Sequence, residues 1–141
     1  MSRIYWDSML FIYWIEDHPR YARRIAHILD RITERGDALC TSTFTLAEVL
    51  TGPYKRGDER LATQIREVFS GPAIEMLPFT HETADVYARI RARFGFAPAD
   101  AIHLASAAES KTDVFLTNDD ALVGKGVPGI QFVAGIDTDL F

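Results

Sequence analysis

The chain has one cysteine, Cys40, among its 141 residues. That excludes an intramolecular disulfide framework and fits a reducing compartment. Cys40 lies in the apolar stretch Ala38-Leu39-Cys40, where it reads as a small buried hydrophobe rather than a nucleophile. Long apolar runs are also missing: the longest, Met9 to Ile15, is much too short to cross a bilayer. No basic region, apolar stretch and small-residue cleavage site follow one another at the start of the chain. The expectation is a soluble, cytoplasmic protein. Positive charge is in deficit, with 15 Lys and Arg against 20 Asp and Glu, a net charge of -5. This excludes a protein that coats nucleic acid by bulk electrostatics. It leaves room for an enzyme whose acidic centre lowers the net charge without touching the surface that meets phosphates. The four histidines form no metal set, since Asp85 stands where a zinc-protease helix beginning His81-Glu82 needs its second His. Neither common Gly-rich phosphate loop occurs, so nucleotide binding has no support.

What remains suits one globular domain over residues 1–141. Hydrophobic residues make up 48% of the chain, and at this length a core forms without staples. Arg3 to Trp6 reads as a short strand ending at Asp7, followed by a helix from about Ser8 that breaks near His18-Pro19. Tyr21, Ile25, Ile28, Leu29 and Ile32 recur at helical spacing until Gly36. Ala38 to Ser42 is a second strand. Thr43 or Thr45 caps the helix carrying Leu46, Ala47, Val49 and Leu50, which ends at Gly52-Pro53. Leu61, Ile65, Val68 and Phe69 mark another amphipathic helix, Ile74 to Leu77 a strand, and Ala84, Tyr87, Ile90 and Phe94 a helix after Thr80. Pro98 opens a helix of small apolar residues running to about Ser110. Val114 to Thr117 is a strand, Asp119 to Val123 a short helix, and Gln131 to Ala134 a last strand. The alternation predicts an α/β/α sandwich around a central parallel sheet of about five strands. Strand order is not readable from this pattern.

Ligands of open parallel sheets bind beyond the carboxyl ends of the strands. Asp7 directly follows the first strand, and Asp119 follows the fourth by one residue. Glu48 sits in the first turns of the helix after the second strand, and Asp100 in the first turn of the helix after Pro98. At an effective dielectric near 20, two carboxylates ~4–5 Å apart repel by ~3–4 kcal/mol. Either their pKa values rise or a divalent ion neutralises them. Oxygen-only ligands select a hard ion, Mg²⁺ or Mn²⁺. Such a centre suits metal-dependent phosphodiester hydrolysis. Singly, Asp100 is a favourable first-turn residue, Asp119 and Asp120 are helix caps, and Glu48 is solvated surface. Asp7 is different, because strand residues within an apolar run are rarely acidic.

Four segments carry a resemblance. Ile4-Tyr5-Trp6-Asp7-Ser8, the run Ser42-Thr43-Phe44-Thr45-Leu46-Ala47-Glu48-Val49-Leu50, Pro98-Ala99-Asp100-Ala101-Ile102-His103-Leu104-Ala105, and Phe115-Leu116-Thr117-Asn118-Asp119 resemble, in order, the four motifs of PIN domain nucleases. The chain's length resembles that of VapC-like toxins of toxin–antitoxin pairs. The resemblance implies a Mg²⁺- or Mn²⁺-dependent endoribonuclease that cleaves structured RNA, a tRNA or ribosomal RNA, and so inhibits translation. It implies Asp7, Asp100 and Asp119 as principal metal ligands, with Glu48 acting through water or orienting a ligand. Ser8, Thr117 and Asn118 would hold the carboxylates, and Asp120 would stand for a further acid near the fourth motif. A homodimer and a cognate antitoxin protein are also implied. Trp6 departs from the smaller aliphatic residue common at its position, a difference expected to affect packing alone.

Other readings compete. A phosphoaspartate enzyme of the receiver type wants an acidic pair at the first strand's end and a Lys after the last, and a dehalogenase-like one wants Asp where Met9 stands. Neither fits. An RNA- or partner-binding PIN relative with negligible turnover, and an RNA-processing nuclease without a toxin role, are the alternatives that stay open. His103 lies one turn after Asp100 within reach of the site, although a satisfied core histidine is the commoner role. Lys55 and Arg56 are candidates for an RNA backbone contact, and Arg89, Arg91 and Arg93 read as a solvated face.

Overall fold

A computed structural model describes all residues, Met1–Phe141. The elements run β1 (Arg3–Trp6), α1 (Ser8–Ile15), α2 (Ala22–Arg35), β2 (Ala38–Ser42), α3 (Thr43–Lys55), α4 (Glu59–Ser70), β3 (Glu75–Leu77), α5 (His81–Arg93), α6 (Pro98–Glu109), β4 (Val114–Thr117) and β5 (Phe132–Gly135). The five strands form one sheet in the order β3-β2-β1-β4-β5. Every pairing is parallel. The predicted α/β/α sandwich is therefore the observed fold.

Alternation along the strands sends side chains to two cores. Ile4, Trp6, Leu39, Val114 and Leu116 pack against Leu10 and Phe11 of α1, Ile25, Ile28 and Ile32 of α2, and Ile65 and Phe69 of α4. Tyr5, Cys40, Phe115 and Val133 face the other way, onto Ile90 of α5 and Ala101, Leu104, Ala105, Ala107 and Ala108 of α6. Both faces of β1 and β4 are buried, which explains their continuous apolar runs. The small residues of α6 let it lie close to the sheet. Gly129 shows how tightly the last loop closes on this helix. Its φ is +95°, and a Cβ there would sit 2.5 Å from the Ala108 carbonyl oxygen. Gly36, at φ +69°, supplies the left-handed turn that ends α2.

Several boundaries differ from the sequence expectation. The cap of α3 is Ser42, whose hydroxyl accepts from the Thr45 amide, and neither Thr43 nor Thr45 serves. The helix also continues through Gly52-Pro53 to Lys55. Pro53 forfeits one amide bond, but only two residues follow it and its ring is buried. Asp119 to Val123 is not a helix. Asp119 Oδ1 accepts from the Ala121 amide, and tight bonds from Leu122 to the Asp119 carbonyl and from Lys125 to the Leu122 carbonyl make successive turns. β3 starts at Glu75 rather than Ile74, β5 is displaced one residue toward the C-terminus, and Val68 is exposed rather than core.

The strand order determines where a cleft can open. From β1 the chain builds outward to β3, then returns to place β4 on the other side of β1. The connections leaving β1 and β4 therefore diverge above the sheet, a topological switch point.

Candidate active site

Asp7 and Asp119 flank this switch point. Trp6 is in register with Leu116, and the Asp7 amide donates to the Leu116 carbonyl at 3.0 Å. Asp7 caps α1, with its Oδ1 accepting from the Ser8 amide at 2.7 Å. Its Oδ2 accepts from the Thr117 hydroxyl at 2.9 Å, and the same hydroxyl accepts from the Asp119 amide at 3.1 Å. Thr117 thus ties the ends of the two central strands together. Asp7 is only 6% exposed, so its carboxylate is fixed.

Glu48, on α3, reaches the cleft from the β2 side. Its Oε1 accepts from the Ser8 hydroxyl at 2.6 Å and from His103 Nε2 at 2.5 Å. Burial alone would raise its proton affinity, but the bonds from His103 and Ser8 together outweigh burial and hold the Glu48 carboxyl below the ordinary glutamate range. Asp100, in the first turn of α6, is the opposite case. No protein donor reaches it, and its pKa is raised, first by burial and then by the charges of Asp7 and Asp119, with a smaller push from Glu48. Proximity to His103 offsets this only in part.

These four acids line one cavity of about 300 Å³, together with Ser8, Met9, Ile12, Tyr13, Ala99, His103 and Asn118. Elements far apart in sequence thus deliver Asp7, Glu48, Asp100 and Asp119 to one mouth of the sheet. Ser8 bonds Asp7 and Glu48, and Thr117 bonds Asp7. Asn118 lines the cavity but donates to the Tyr13 hydroxyl at 3.1 Å instead. Asp120 is not brought in. It faces a neighbouring hollow with Val123, Gly135 and Asp137. Arg56 approaches Glu16 at 3.8 Å, and Arg89 pairs with Asp85.

His103 is the residue that sequence reasoning undervalued. It is both buried, at 2% exposure, and bonded to Glu48 in the cavity wall. Two signals pointed to it: the three-residue spacing from Asp100, which puts both on one face of α6, and its being the one basic residue in a helix of small apolar residues.

As they stand, no three of the chain's His, Cys, Asp and Glu side chains are close enough together to hold an ion. Asp7, Glu48 and Asp119 each accept from a protein donor, which relieves part of their repulsion without a cation. The donor chemistry nevertheless fits a hard divalent cation: all oxygen, anionic, facing one polar cavity, with Asp100 carrying the uncompensated charge.

Residues 4–125 match the PIN domain family model, and the chain belongs to the PIN domain family. No curated protein sequence matches it. Among solved structures, it is similar to VapBC2 from Rickettsia felis bound to a promoter DNA fragment, with a TM-score of 0.76 and 16% identity over 94% of this chain and 98% of that one. It is similar to a toxin–antitoxin complex from Klebsiella pneumoniae, with a TM-score of 0.67 and 20% identity over 90% and 94%. VapC20 of Mycobacterium tuberculosis, described as a sarcin-ricin loop cleaving toxin, gives a TM-score of 0.64 and 14% identity over 79% and 86%. At these identities the likeness establishes the fold.

Proposed function

We propose that the protein is a Mg²⁺- or Mn²⁺-dependent endoribonuclease acting as the toxin of a toxin–antitoxin pair. The observation that carries this reading is the convergence of Asp7, Glu48, Asp100 and Asp119 on one cavity, where burial, and then the charges of its neighbours, raise the proton affinity of Asp100. The charge of Asp100, which no protein donor compensates, is the one a bound cation would share.

A divalent ion bound there would polarise a phosphodiester and ease removal of a proton from the attacking water. Asp7, Asp100 and Asp119 are the residues that would hold it. Asp7 is pre-set by Ser8 and Thr117, so its carboxylate does not have to be ordered on binding. Asp100, free of protein donors, is the acid most able to turn toward a cation. Glu48 presents one oxygen to the cavity while Ser8 and His103 hold the other.

Structured RNA, a tRNA or ribosomal RNA, is the proposed substrate, supported by family membership and by the described activity of the Mycobacterium tuberculosis neighbour. A cognate antitoxin is the proposed partner, supported by the neighbours that are VapBC complexes. A homodimer follows the same family pattern. No helix is long and apolar enough to cross a membrane.

The purified protein is incubated with a total RNA pool plus Mg²⁺, Mn²⁺ or EDTA. Metal-dependent fragments of discrete size are expected, and Asp7→Asn and Asp100→Asn are expected to lose at least ~100-fold of this activity while keeping native circular dichroism. Cleavage that survives EDTA or both substitutions rules the reading out. Growth arrest on expression, lost with Asp100→Asn and relieved by co-expressing a neighbouring reading frame, tests the toxin role.

A further inference from the structure

We propose that His103 is a positioning residue that occupies Glu48 Oε1, so that Glu48 meets a cation or its hydration shell through Oε2 alone. The inference rests on the metal-site reading above. Oε1 accepts from both the Ser8 hydroxyl at 2.6 Å and His103 Nε2 at 2.5 Å, which exhausts its good acceptor directions. Because Oε1 is an acceptor in both contacts, Nε2 must carry a hydrogen. The other ring nitrogen is engaged on the far side. Nδ1 lies 2.8 Å from the Tyr5 hydroxyl, with the Thr45 hydroxyl at 3.4 Å.

The backing reaches deep into the sheet. The Tyr5 hydroxyl also bonds Ser42 Oγ at 2.9 Å, and the Thr41 hydroxyl donates to the Trp6 carbonyl at 2.9 Å while lying within hydrogen-bond distance of Thr45 Oγ1, at 2.6 Å. Tyr5, Thr41, Ser42, Thr45 and His103 are all nearly or fully buried. The ring is wedged as well, edge-on to Tyr5 and tilted against Phe44 at 5.2 Å. A buried polar chain from β1, β2 and α3 thus ends on one oxygen of one cavity acid. A histidine needed only to fill space would have its polar atoms satisfied among buried groups. This one spends Nε2 on a carboxylate at the solvent-open mouth. The consequence is selective: removing the imidazole frees Glu48 to rotate and turn out of the cavity.

The test compares Mn²⁺ affinity, by calorimetry and by the electron paramagnetic resonance of unbound Mn²⁺, in wild type, His103→Ala, His103→Gln and Tyr5→Phe, each checked for native circular dichroism. Gln places an N–H donor near the position of Nε2. We expect His103→Ala to bind Mn²⁺ ~10–100-fold more weakly, His103→Gln within ~3-fold of wild type, and Tyr5→Phe between them. Equal affinity of folded His103→Ala and wild type overturns the proposal, as does equal loss in Ala and Gln. Should His103→Ala not fold, Tyr5→Phe against His103→Gln makes the same comparison. Imidazole ¹⁵N correlation spectra of the metal-free protein test the clamp independently of any ion. Nε2 should be protonated in wild type and its resonance should move in Glu48→Ala. A hydrogen on Nδ1 alone, or an unmoved resonance, refutes it. Wild type that binds no Mn²⁺ but passes this spectroscopic test refutes the metal-site reading and leaves the clamp standing.

Discussion

Replacing Asp100 with Asn is expected to stabilise the metal-free protein. Asp100 stands in the first turn of α6, where a negative charge gains about 0.3–1 kcal/mol from the helix dipole. Against that gain stand partial burial and the charges of Asp7, Asp119 and Glu48. Two carboxylates ~7 Å apart in a partly solvated cavity of effective dielectric ~40 repel by about 1 kcal/mol. Three such neighbours, discounted for screening at a half-exposed group and for the nearby His103, sum to about 1.5–2 kcal/mol. The balance favours Asn by about 1 kcal/mol. For a domain of this size that is a rise in melting temperature of about 3 °C at pH 7 in EDTA. Asp100 binds its proton more tightly folded than unfolded, so between the ordinary aspartate pKa and its raised value the native state holds more protons. Wild type therefore gains stability from this group as pH falls through the raised value, and the advantage of Asn shrinks toward zero near pH 4. Differential scanning calorimetry from pH 7 to 4 reads both effects. Adding Mn²⁺ should then reverse the order, because the wild type gains binding energy that the variant lacks. A fall in melting temperature at pH 7 in EDTA would show that Asp100 is a helix-stabilising residue and that the repulsion argument is wrong.

Glu48 should behave oppositely. Its proton affinity is lowered in the fold, so Glu48→Gln is expected to cost about 1 kcal/mol near neutrality, a loss that fades as pH drops below the ordinary glutamate pKa; urea melts at pH 7 and 3.5 check it. The Cys40 thiol, buried and pushed up to about 12, should resist a thiol-specific disulfide reagent in the native state and react within seconds once the chain is unfolded. Gly129→Ala places a methyl against the Ala108 carbonyl at a φ that L-residues rarely adopt, and is expected to destabilise the protein by about 3 kcal/mol in chemical denaturation.

Much of the fold was legible because its signals are local. The apolar runs of β1 and β4 and the stripes of α2 and α5 each carry their own period, and Gly36 and Thr80 mark their helices without tertiary help. Asp7 stood out for a similar reason, as an acid directly after a strand buried on both faces. The errors fell where long-range packing outranks local preference. Burial of Pro53 carries α3 past a dipeptide that usually ends helices, and an Asx turn at Asp119 pre-empts the helix that its neighbours suggest. Strand order is set by pairing across more than a hundred residues, which no local period encodes. His103 was half-legible: its spacing from Asp100 was plain, but its bond to Glu48 depends on where α3 and α6 meet.

The centre of the sheet is closed late, when only the edge strand β5 remains to be added. β1 pairs with β2 within about forty residues of the N-terminus, but its other edge waits for β4, with Ile4 meeting Val114. Until then a strand made of Ile4, Tyr5 and Trp6 keeps one row of amides and carbonyls unpaired, and closing so long a loop makes assembly slow. On the ribosome the growing chain therefore holds Asp7 and Glu48 long before Asp119 is in place. A chain cut short before α6 contains half the acids, an open apolar edge prone to self-association, and no cleft.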